Sequence, residues 1–336
     1  MTQPADGPPD ARDGTRREWQ GLGLGLIGVL LFSLTVPMTK LAVSHDTGTA
    51  NAATAHALSP WFVTFGRAAV AGLLSVLYLW WKHQRGTLVR PQGSQWGLLA
   101  FNASGAVIGF PLFLALALEH VPSTHAAVVT GLLPLVTAVA AAVWYRQRPS
   151  GGFWACSVAG CALVVGFMLM RAGGLHLHLA DLFLVTAMVW AAVMYVGGAR
   201  LTPSLGAESV ICWMLVISLP LTLPLAWWFA PEHTVPQSRW WAFAYVSLFS
   251  MWLGFFAWYR GLALGGPVRV SQVQLLQPFS SLVFAVPLLG EQIDGGTLLF
   301  ALAVIATVFA GKRMSVGQIT RPSADGSPTA TITSRS

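Results

Sequence analysis

Ten apolar runs, each close to or above the roughly 20 residues a helix needs to cross a bilayer, constrain this chain more than any other feature. They lie near 20–43, 60–81, 96–118, 124–145, 152–170, 180–199, 207–229, 240–262, 268–289 and 296–311. Hydrophobic residues fill 55% of the 336 positions and charged residues only 9%, against about 25% charged in a soluble domain. So little polar surface excludes a soluble fold. Turn residues mark most of the breaks: Asp46-Thr47-Gly48, Pro91-Gln92-Gly93, Pro149-Ser150-Gly151-Gly152, Gly173-Gly174 and Gly265-Gly266-Pro267. The expected fold is an all-α membrane protein with ten transmembrane helices.

The net charge of +7 and pI near 9.8 do not point to nucleic acid. The basic residues lie between apolar runs and form no stripe. Three cysteines, Cys156, Cys161 and Cys212, sit within apolar runs, an odd count with no metal-ligand spacing. If the N-terminus starts in the cytoplasm and the spans alternate, 14 of the 19 Lys and Arg residues fall on cytoplasmic segments. The outer loops hold only Arg171 and Arg239. That bias predicts a multi-pass protein of the plasma (bacterial inner) membrane with both termini cytoplasmic. Residues 1–19 read as a cytoplasmic tail, and 312–336, rich in Ser, Thr and Pro, as a disordered one.

The chain also repeats itself. Segment 268–291, VRVSQVQLLQPFSSLVFAVPLLGE, echoes 124–147, THAAVVTGLLPLVTAVAAAVWYRQ. One offset (278 − 134 = 144) lays Pro134 on Pro278, Gln147 on Glu291, and Gly151-Gly152 on Gly295-Gly296. The prolines fall in the fourth and ninth runs, so the unit is five helices, spanning 20–170 and 180–311. Five is odd, so the second copy crosses the membrane upside down. Inverted repeats of this kind provide alternating access in secondary transporters.

With that topology the chain resembles the EamA-type family of drug/metabolite transporters. The matching residues are Leu133-Pro134-Leu135, and Pro278 followed by Leu288-Leu289-Gly290-Glu291. Asp181, Trp190-Ala191 and Tyr195, Pro60 with Arg67, and Ser33 with Lys40 also match. The fourth run departs from the family, ending Arg146-Gln147-Arg148 where Gly-Glu-Arg is usual, and Ala180 precedes Asp181 where Gly is usual. The resemblance implies transport, with efflux of amino acids or related amphipathic solutes. A membrane sensor or scaffold, or an integral membrane enzyme, is the alternative. A sensor needs a sizeable soluble segment, and an enzyme needs clustered His, Asp, Glu or Ser at one depth; neither pattern is visible. Expected partners are a small-molecule substrate and the lipid bilayer, without nucleic acid and with a homodimer left open. No cofactor or metal is expected.

Candidate site residues are polar or aromatic groups where lipid favours neither. Arg67 lies about 10 Å into the second run at 1.5 Å per residue, a depth from which snorkelling is hard. It is read as facing a cavity or a structural partner. Lys40 lies nearer a span end, where either snorkelling or the cavity suits it. Gln274 and Gln277 share a helix face, and Gln274 aligns with Thr130. Either they form a midplane site or they bond helices together. Pro134 and Pro278 break their helices, and Pro278 frees the carbonyl of residue 274. Trp190, Tyr195, Trp252 and Tyr259 are candidates to line an aromatic cavity, with core packing as the alternative. His125 is a candidate for coupling, or else half of an interfacial pair with His120. Glu291 is a candidate for coupling, or else caps or ties a helix end. The Gly23, Gly25, Gly28 pattern lies inside a span and reads as helix packing, and His176/His178 as solvated loop residues.

Overall fold

The computed structural model describes residues 11–44, 57–144, 148–171, 178–265, 270, 273–290, 292–313 and 316–317. In chain order its apolar helices are α1 (Trp19–Val43), α2 (Pro60–Gln84), α3 (Ser94–His120), α4 (Ser123–Trp144), α5 (Gly151–Arg171), α6 (Leu179–Leu205), α7 (Ala207–Trp228), α8 (Gln237–Leu264), α9 (Gln277–Leu289) and α10 (Gly295–Arg313). Among the described residues, seven of these are long and apolar enough to cross a membrane: α1 to α4 and α6 to α8. The chain is a multi-pass membrane protein, and its described elements are helices apart from one two-residue pairing. In that pairing Arg148–Pro149 runs antiparallel to Val316–Gly317.

Local chemistry sets the ends of several helices. Ser59 caps α2 by accepting the N–H of Phe62 at 3.1 Å, and Pro60 occupies the first turn, where its missing N–H costs nothing. Arg239 was expected in an outer loop. It is instead buried in the first turn of α8 and donates to the carbonyls of Leu41 and Ser44, at the end of α1. Large apolar side chains such as Leu77, Trp80, Trp227, Trp228 and Trp241 point outward. In a bilayer they meet lipid or its interface.

The helices pair in an ordered way. α1 packs on α8 and α3 on α6; α4 packs on α6 and α1 on α9; α2 packs on α7, α4 on α9 and α5 on α10. Exchanging each helix with the one five places away maps these seven pairs onto one another, whereas the packing of α10 on α4 and of α1 on α4 has no such counterpart among the described residues. The irregularities match too. The fourth helix turns at Gly131–Leu132 and restarts at Leu133, one residue before Pro134. The ninth begins at Gln277, one residue before Pro278, after a 3₁₀ turn over Gln274–Leu276. Leu133 and Gln277 are related by the 144-residue offset. So are Gly109 and Leu253, the last residues of the wide π-type turns in α3 (Ser104–Gly109) and α8 (Val246–Leu253). Such turns inside helices are frequently found at functional sites.

Candidate functional site

Pro37 opens α1. It lacks the N–H that would close on the carbonyl of Ser33, and the helix is interrupted at Leu34. A buried orphan carbonyl would be costly. Ser281 of α9 removes that cost by donating its hydroxyl to Ser33 O at 2.7 Å. Just beyond the interruption, Thr35 Oγ1 lies 2.7 Å from Ser250 Oγ, which the π-type turn of α8 presents. Arg67 of α2 donates from Nη2 to the same Ser250 oxygen at 3.1 Å. Arg67, Ser250 and Thr35 are all at most 3% exposed.

These groups border a cavity. Its polar lining is Arg67, Thr35, Ser250, Thr130 and Gln277; its apolar wall includes Phe32, Tyr195 and Phe255. The three rings contact one another directly or through Trp258, with Phe32 5.1 Å from Phe255 and Tyr195 6.3 Å from Phe255. As packed, the cavity offers about 20 Å³, room for one or two waters. An organic solute therefore needs the surrounding helices to part. The lining includes two pairs of residues separated by the same 144 positions: Ala106 with Ser250, and Leu133 with Gln277.

The structure thus brings together four residues singled out in the sequence: Arg67, Thr130, Tyr195 and Gln277. Thr130 Oγ1 also bonds back to Ala126 O at 2.8 Å. The other candidates lie outside this lining. Trp190 fills the space over Gly105 and Gly109 of α3, where any Cβ would meet its ring. Tyr259 does the same over Gly198 of α6. Trp252 packs against Phe256 at 4.9 Å and Tyr78 at 6.3 Å. Gln274 is buried beside the broken turn, and its carbonyl accepts the N–H of Gln277. The carbonyl that Pro278 frees is therefore taken by a 3₁₀ bond and is not offered to a solute. Pro134 sits at the restart of the fourth helix. Lys40 turns away from the cavity and donates to Leu118 O at 2.8 Å, near the end of α3. Glu291, Gln147, Gln272 and His176 lie outside the described residues.

His125 does not pair with His120, which bonds Leu116 O of its own helix at 3.1 Å. His125 Nε2 lies 2.8 Å from Asp181 Oδ1, both residues buried. Asp181 Oδ2 also accepts the N–H of His178 at 3.2 Å, tying the start of α6 to α4. Sequence reasoning missed this pair and missed Thr35 and Ser250. Lone hydroxyls in apolar runs usually bond back to their own helix, and the only available signal for Ser250 was a serine within an aromatic-rich span.

The model of the EamA-like transporter family matches this chain over residues 19–170 and again over 178–310. The chain is 43% identical over 296 residues to the uncharacterized transporter YdeK of Bacillus subtilis (strain 168), covering 87% of this chain and 96% of that one. It is 27% identical over 259 residues to the uncharacterized inner membrane transporter YicL of Salmonella typhimurium (strain LT2), covering 75% and 84%. One solved crystal structure superposes with a TM-score of 0.58 at 18% identity, over 87% of this chain and 96% of its own. That likeness bears on the fold alone.

Proposed function

Because the chain belongs to the EamA-like transporter family, and is therefore a membrane transporter, we propose that it is a secondary transporter of small amphipathic organic solutes. It works by alternating access and is directed toward efflux. Amino acids and related metabolites are the substrates that fit the family's range. The observation that carries this reading is the cavity itself. Arg67, Ser250 and Thr35 meet there beside the restart points of α4 and α9. Interrupted helices near the midplane are where such transporters hold substrate, because only there does irregular backbone tolerate the membrane.

The reading includes ten spans in two inverted five-helix units, in the bacterial inner membrane with both termini cytoplasmic. Support comes from the family model matching twice, the shared 144-residue offset of the helix breaks, and a set of helix pairs unchanged by exchange of the halves. Under exchange of conformations between the halves, a cavity open to one side becomes open to the other. Purified protein in liposomes, offered labelled amino acids, nucleosides and organic acids with and without a pH gradient, tests the function. Saturable uptake above empty liposomes is expected, and uptake of none of them contradicts it.

A further inference from the structure

Transport as such does not account for Arg67. A guanidinium carries a charge and five N–H donors. The structure gives Arg67 one hydrogen bond, from Nη2 to Ser250, and its buried Nε has no partner. Among the described residues no carboxylate lies within ion-pair distance of it or lines its cavity. Two other basic side chains near span ends are engaged elsewhere: Arg239 on the carbonyls closing α1, and Lys40 on Leu118 O. A buried charge is costly unless a partner compensates it.

We propose that the solute binds as an organic monoanion: a carboxylate on an apolar body, with the carboxylate against Arg67 and the body against Phe32, Tyr195 and Phe255. This rests on the transport reading and narrows it, away from amino acids and toward carboxylic acids that lack the amine. The sign follows from Arg67, the only charged side chain in the described lining. The valence follows as well, since a dianion would leave one negative charge unbalanced among apolar walls. An ammonium group finds no carboxylate in the lining. A zwitterion must therefore bury its cation against hydroxyls, one amide and ring faces, and binds worse than the same molecule without its amine. The Oε1 of Gln277 is buried without a partner and accepts from a neutral donor on the body, such as an indole N–H.

A matched set separates these cases: indole-3-propionate, tryptophan, which adds the ammonium, and tryptamine, which lacks the carboxylate. Binding to the full chain purified in detergent is read by calorimetry and by ligand-induced thermal stabilisation. Indole-3-propionate binds at least about tenfold more tightly than either amine, and Arg67→Gln weakens it by about tenfold or more, the worth of a hydrogen bond to a charged group. The wild-type comparison stands on its own if Arg67→Gln does not fold. The proposal is overturned if tryptophan or tryptamine binds as tightly as the acid. It is equally overturned if none of the three binds, or if folded Arg67→Gln binds the acid within twofold of wild type. Liposome flux is read separately. Arg67-dependent binding of the acid without flux removes the transport reading and keeps the anion site. Flux without anion preference does the reverse.

Discussion

Ser281 Oγ donates to the carbonyl of Ser33 at 2.7 Å, and Ser33 is the residue whose helical partner would have been Pro37. One hydroxyl on α9 thus completes the backbone of α1 where a proline interrupts it. The same interruption places Thr35 against Ser250, and Ser250 against Arg67. The floor of the cavity depends on this contact between the first and ninth helices.

Replacing Ser281 by Ala leaves that carbonyl buried and unpaired, at a cost of about 1–3 kcal/mol. Pro37→Ala returns a backbone N–H at the right place. The double variant is therefore expected to be less destabilised than the sum of the two single changes. Unfolding in detergent measures all three proteins, and strict additivity would contradict the coupling.

His125 and Asp181 form a buried pair between α4 and α6. His125→Ala and Asp181→Ala each leave the other group without its partner, so the two changes should be non-additive by about 0.5–3 kcal/mol. A double-mutant cycle on unfolding free energy reads this directly. A coupling of zero would mean that the contact does not join the two helices.

Close helix approach at Gly109 is filled by the ring of Trp190. Gly109→Ala forces the ring to move, at about 1–3 kcal/mol as for other overpacked sites. Gly97, in the same helix, has nothing near its Cβ position, and Gly97→Ala should stay within about 1 kcal/mol of wild type or gain stability. Equal effects at the two positions would remove Trp190 from a packing role.

A reporter fused after Lys312 is expected on the cytoplasmic side, as the distribution of Lys and Arg requires. A periplasmic reporter would break the inverted arrangement of the two halves.

The helices were legible because turn chemistry marks most of the breaks between apolar runs, and Pro134 and Pro278 announced the breaks that the structure places at Leu133 and Gln277. Arg67 was legible for a simple reason: no depth argument lets its side chain escape the membrane easily. Ser250 and Thr35 were not, because a single hydroxyl in an apolar span has the same signature whether it bonds back or reaches a neighbour. Asp181 and His125 are 56 positions apart, and their pairing is a property of helix packing that periodicity does not contain. The aromatics divided for the same reason. Tyr195 lines the cavity while Trp190 and Tyr259 fill glycine gaps, and only the glycines of neighbouring helices decide which.

Access to the cavity from both sides is the centre of the account, and one measurement reaches it. Ala106 lines the cavity, and the chain's three cysteines can be replaced to leave Ala106→Cys as the only thiol. Membrane-impermeant thiol reagents are then applied to right-side-out and to inside-out vesicles. Alternating access predicts that Ala106→Cys is modified from both sides, and more slowly from each when a transported solute is present. Modification from one side only, whatever the solute, would contradict it.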